Sequence, residues 1–264
     1  MQKIWAIISI SWQRTLTYRF TVMAYRVGEM LEVLVLVVMW TAIYATAPVI
    51  KGFTLPEMVT YVLVGNLINV AVRNFLAENI ARNIESGELS MMLIKPISYF
   101  RFMMIREIGR DGFATILSVG SQLLIIMFFL DRIIFNTDPL YLAVIGLMVV
   151  LALISELLLS YLIGLIAFWT DEVNGIYVTI ERLKKFFSGG YFPLSLLPAT
   201  LLQTSYFLPF AYSYFVPTLL YLKKISLAVA LQGLVVQVVW IFLLYTIVNI
   251  TWKRGLKKYE GVGI

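Results

Sequence analysis

Polar and charged side chains that interrupt long apolar runs are the groups here with chemical options. Asn66, Asn69 and Arg73 recur at i, i+3 and i+7, which puts them on one helical face. Glu156 lies inside the apolar run 139–169, and Arg26, Glu29 and Glu32 lie at the start of an earlier one. Glu181, Arg182, Lys184 and Lys185 cluster in a fifth apolar segment. In hydrocarbon such groups are expensive, so they face one another, the protein interior or a water-filled path. A carboxylate there can pair with a cation or carry a proton; an asparagine can hydrogen-bond to a neighbouring helix or line a path. The chain contains neither histidine nor cysteine, which removes the commonest metal ligand, the usual general base and every thiol nucleophile. It also lacks the G-x-x-x-x-G-K-[ST] phosphate loop, so ATP cannot be held in that way.

The positions of these groups depend on the elements that carry them. Hydrophobic residues make up 61% of the chain, charged ones 14%, and mean hydropathy is +0.88. Soluble domains are about 45–50% apolar and about 25% charged, so the composition specifies an integral membrane protein. The apolar runs do not alternate as barrel strands would, which makes it all-α. Residues 1–20 carry scattered charge and no small-residue cleavage site. They are expected to form an interfacial helix rather than a signal peptide.

Spans are expected near 21–47, 55–81, 111–130, 139–169 and 227–250, with a fifth crossing somewhere after Asp171. Arg26 and Glu29, at i, i+3, can pair or snorkel at the inner surface. Thr54 and Glu57 read as a capping box, and Asp138-Pro139 as a helix start. Glu181 and Lys185 have the i, i+4 order that favours pairing. Glu156 is the nearest candidate partner for Arg73. Between Gly189 and Lys224 fall Pro193, Pro198, Pro209 and Pro217 in an apolar, aromatic stretch. Short broken helices fit it, if protein buries their backbone.

The most polar interruption of the first half is 82–96, RNIESGELSMMLIKP. Gly87 can stop a helix in the left-handed conformation, and Pro96 stops the next. The short helix between them has Leu89, Met92 and Leu93 on one face. It either rests as a plain interfacial loop or docks on a partner. Lysine and arginine set the orientation. With both ends cytosolic, the inner segments hold twelve (Lys3, Arg14, Arg19, Arg82, Lys95, Arg101, Arg106, Arg110, Lys253, Arg254, Lys257, Lys258) and the outer ones four (Lys51, Arg132, Lys223, Lys224). Six crossings satisfy that arrangement.

This order resembles the permease of a type-2 ABC exporter. IESGELSMMLIKPIS resembles the Gly-x-Leu…Leu-x-Lys/Arg-Pro turn of bacterial ABC-2 family transporter permeases. SGGYFPLSLLP followed by LPFAY resembles their outer segment, and RGLKKYEGVG their C-terminal tail. The resemblance covers nearly the whole chain as a single permease domain of 264 residues: interfacial helix 1–20, coupling region 82–96, broken outer segment 189–224. The charged Glu181–Lys185 patch departs from the pattern.

What the resemblance implies is a transport subunit and not an enzyme. It sits in the bacterial inner membrane and exports a substrate of amphipathic character. A second permease, identical or similar, would pair with it, and two cytosolic ATPase subunits would bind ATP and magnesium in its place. Glu85, Gly87, Glu88 and Leu89 would touch the ATPase. Asn66, Asn69, Arg73, Glu156, Glu181 and Lys185 would line the translocation path or the permease interface. No cofactor is expected in this chain and no nucleic acid as partner. The alternative reading is a secondary transporter that relays protons through intramembrane carboxylates.

Overall fold

The computed structural model describes residues 19–170 and 172–259. The expected interfacial helix at 1–20 and the end of the tail fall outside them, apart from the first turn of the next helix. Helix α1 (Arg19–Tyr44) leads to a tight hairpin, β1 (Val49–Ile50) against β2 (Phe53–Thr54), turning through Lys51 and Gly52 at positive φ. Helix α2 (Leu55–Val72) follows, then α3 (Leu76–Glu85), α4 (Glu88–Leu93) and α5 (Tyr99–Phe128). After a turn that holds a short 3-10 helix (Leu130–Arg132) come α6 (Pro139–Leu165), continued by a 3-10 turn over Ile166–Phe168, and α7 (Val173–Phe187). Short helices α8 (Ala199–Phe207) and α9 (Phe215–Tyr221) precede the long α10 (Leu227–Lys258).

Local start signals act as written. The Glu57 carboxylate accepts the Thr54 N–H at 2.7 Å and its hydroxyl at 3.0 Å. Asp138 accepts the Leu140 N–H at 3.1 Å. Gly87 has φ of 77° and sets α4 at its angle to α3.

Among the described residues four stretches are long and apolar enough to cross a membrane: Met23–Tyr44, Leu55–Glu85, Pro139–Phe168 and Leu227–Lys258. Three expectations need correction. The second stretch is not one helix but breaks at Arg73–Phe75. The third helix begins at Tyr99, well before Asp111, and only Thr115–Phe128 of it is an apolar helix of note. The fifth segment yields α7, whose 15 residues reach about 22 Å, short of a hydrocarbon core of about 30 Å.

Apolar side chains assemble into two cores, labelled outer and inner after the orientation expected from the sequence. The outer core surrounds α2, which is buried almost all round from Met58 to Leu63. Onto it pack Val33, Val37, Trp40 and Tyr44, a single stripe of α1, with Ile145 and Met148 of α6. Tyr212, Tyr214, Phe215 and Leu219 join from the broken segment. Tyrosine hydroxyls pin backbone there: Tyr61 donates to the Gly189 carbonyl at 2.7 Å and Tyr214 to that of Val62 at 3.2 Å. The inner core joins α3 and Leu89 to Tyr99 and Met103 of α5, Leu157, Tyr161 and Leu165 of α6, and Val248 of α10. Trp252 stacks on Tyr99 at 5.2 Å between ring centres. Asn83 donates to the Tyr99 hydroxyl at 3.0 Å. Helices α5, α6 and α10 contribute to both cores. The α2–α3 stretch does too, but changes direction between them.

Candidate functional site

A cavity of about 510 Å³ opens where the two cores meet. Asn66, Asn69, Arg73, Glu156, Glu181 and Lys185 all line it, together with Glu29, Glu32, Glu78, Tyr177, Arg182 and Lys184. The wall thus carries five carboxylates and four cations. By helical rise Asn66 lies about 16 Å from Leu55, Asn69 about 21 Å and Arg73 about 27 Å. Glu156 is about 26 Å from Pro139 by the same measure.

Two ion-pair systems hold the walls. On one side Glu29 accepts from Arg26 at 2.7 Å, from Arg73 at 2.6 Å and from the Ser118 hydroxyl at 3.2 Å, tying α1 to α2 and α5. On the other, Lys184 of α7 bonds to Glu156 of α6 at 2.5 Å and to Glu181 at 2.7 Å. Lys185 reaches across to Glu32 of α1. Helix α7 buries only Val173 fully, so charge rather than apolar packing seats it. The Asn66 Nδ2 is buried without a hydrogen-bond partner among the described residues, on a residue that lines the cavity. Also among the described residues, no group of carboxylates is placed to hold a metal ion.

The model of the family described as ABC-2 family transporter protein matches residues 30–263. The chain belongs to that family. It is the membrane-embedded permease of an ABC transporter, a multi-pass helical transport subunit. A search of curated proteins found no match.

The permease departs from its sequence reading in its partners. Arg73 pairs with Glu29 and not with Glu156, because the chain leaves the helix at Arg73 and carries its side chain toward α1. Glu156 pairs with Lys184 instead. Glu181 bonds to Lys184 rather than to Lys185, since adjacent residues diverge by about 100° around a helix and Lys185 points to α1. Snorkelling does not describe Glu29, whose side chain is 11% exposed and triply bonded.

Around Gly87, Glu85 and Glu88 are exposed, whereas Leu89 is fully buried. Its side chain packs into the inner core against α3, so it holds α4 in place. The apolar surface of this stretch is made by Met91, Leu93 and Ile94, 70%, 43% and 84% exposed. Of the helical pattern Leu89, Met92 and Leu93, Leu89 points inward, Met92 is half-buried and Leu93 is exposed beside Met91 and Ile94. Glu107 was also missed as a member of a buried polar contact, and Lys184, named in the charged cluster, was not paired with Glu156. Only Lys184, beside Lys185, had a visible signal.

Proposed function

We propose that this permease works in an exporter, paired with a second permease and two ATPase subunits, and that the cavity between its cores is the polar part of the translocation path. The observation that carries this reading is the cavity wall itself: five carboxylates, four cations and three asparagines gathered between the two cores of an apolar bundle. A bundle built only for stability gains little from such a belt, since buried ion pairs roughly break even against apolar packing. A path for a substrate with a polar head needs one. Six crossings fit, with both ends cytosolic. Helix α5 supplies the third crossing. The fifth is shared by α7 and the chain beyond Gly189, whose carbonyl meets Tyr61 about 9 Å from the outer end of α2. Trp240 donates to the Phe207 carbonyl some 20 Å along α10, which supports a dip of α8 into the bilayer and a return through α9.

The ATPase docks on α4 and its flanks, through Glu85, Glu88, Met91 and Ile94. Gly87 sets the direction of that surface. The proton-relay alternative gains nothing from the geometry, because Glu156 is engaged by Lys184. The test is co-purification of the permease with its ATPase and assay of the reconstituted complex. Glu88→Lys with Met91→Asp should lower ATP-driven transport at least about tenfold, by loss of the anchor side chain and reversal of the charge. Transport driven by a proton gradient without ATP would overturn the reading.

A further inference from the structure

The break between α2 and α3 is built by specific contacts. Arg73 still donates its N–H to the Asn69 carbonyl at 3.0 Å, and its ψ of 140° then takes the chain out of the helix. When α3 starts, its first N–H groups have no helical carbonyl to reach. Asn74 Oδ1 accepts the Leu76 N–H at 3.2 Å. Glu107 of α5 accepts the Phe75 N–H on one oxygen at 2.9 Å and the Asn79 side-chain amide on the other at 3.3 Å. Glu107 is 1% exposed. Its carboxyl lies at the N-terminal end of α3, where it accepts bonds that the helix's own carbonyls cannot.

This break coincides with the division between the cores. Helix α2 belongs to the outer core, α3 and Leu89 of α4 to the inner one. Arg73, Asn74 and Phe75 line the cavity. Any rotation of α3 and α4 as one piece therefore moves part of the cavity wall, while α2 stays in the outer core. Hinges absorb such motion at the few residues where an element ends.

We propose that Glu107 is a positioning residue for transport: by fixing the start of α3 it makes Arg73–Phe75 the pivot through which a push on α4 reshapes the cavity. The proposal rests on α4 being the docking piece, but its structural core is testable without an ATPase. The chain lacks cysteine, so spin-label pairs can be placed cleanly in the full-length protein in lipid nanodiscs. One pair, Val49→Cys with Met91→Cys, spans the break; the other, Arg82→Cys with Met91→Cys, lies within the α3–α4 piece. All three positions are exposed. In Glu107→Ala the distance distribution of the spanning pair should widen about twofold, as expected for a locally released element, while the inner pair keeps its width. Glu107→Gln, which retains an oxygen for the Phe75 N–H, should keep the width of the parent. An unchanged spanning pair in Glu107→Ala would overturn the proposal. So would equal widening of both pairs, because Glu107 would then only hold the fold together. A failure of α4 to bind any ATPase would leave these distances untouched and would count against the docking reading alone.

Discussion

The outer and inner cores solve the same packing problem with different means. The outer core is centred on one helix buried almost all round, and its loops are pinned by tyrosine hydroxyls on backbone carbonyls. Such bonds fix irregular backbone that lipid cannot solvate. The inner core is made of helix faces in close approach. At Gly164, a Cβ would come within 2.7 Å of the Ile80 Cβ and 2.9 Å of the Ala77 carbonyl oxygen. The outer region is thus stapled around broken chain, and the inner one is a compact helical block that carries α4. Charge is concentrated between them. The helices α5, α6 and α10 run through both cores, whereas the α2–α3 stretch is interrupted by a capped break where it passes from one to the other.

Breaking the junction should have the greatest effect. Lys184→Ala leaves Glu156 buried without its cation, a change that typically costs about 3–5 kcal/mol. The paired change Lys184→Met with Glu156→Gln should recover most of the loss. Thermal unfolding followed by size-exclusion chromatography in detergent would measure both. Equal destabilisation by the single and double variants would mean the pair does not couple α7 to α6.

Gly164→Ala probes the inner block. Its new methyl group meets a backbone oxygen, which cannot swing aside, and overpacking of this kind costs about 1–3 kcal/mol. The same assay applies. No change in melting would show that α3 and α6 can separate freely, and the inner region would not be one body.

A smaller effect is expected at the tail. The Tyr259 and Ser90 hydroxyls lie 3.2 Å apart, and the Tyr259 ring meets Phe168 edge-on at 5.8 Å. Tyr259→Phe keeps the ring and loses the bond, worth about 1 kcal/mol. Stability should barely move, while binding of the ATPase to α4 weakens by a few-fold, as read by titration of the purified subunits. Arg73→Ala should change stability least, by about 1 kcal/mol or less, because Arg73 is 43% exposed and Glu29 keeps Arg26. A loss as large as that of Lys184→Ala would show that the two sides of the junction are equivalent.

Signals that act within a few residues were readable in the sequence. The Thr54–Glu57 box, the Asp138 start and the Gly87 stop need only neighbours in the chain, and each is present; for Arg26 and Glu29 the sequence left pairing and snorkelling both open, and they pair. The gathering of Asn66, Asn69 and Arg73 with Glu156, Glu181 and Lys185 followed from the cost of polar groups in hydrocarbon. Which of them pair did not follow, because partners come from other helices. The break at Arg73–Phe75 was invisible for the same reason. Asn74 alone does not stop a helix, and the carboxylate that caps α3 comes from Glu107, 32 positions away. The depth of α7 was equally hidden, since Lys184 and Lys185 are satisfied by Glu156 and Glu32 on separate helices.

Whether the space between the cores is an aqueous path can be measured directly. Asn69→Cys lines the cavity about 21 Å along α2, and Phe242→Cys, 70% exposed, lies about 22 Å along α10 on the bundle's outer surface. A membrane-impermeant maleimide is applied to the cytosolic face of inside-out vesicles. The two-core account predicts rapid labelling at Asn69→Cys and little at Phe242→Cys, which lipid covers. Equal labelling at both positions, or none at Asn69→Cys, would contradict it.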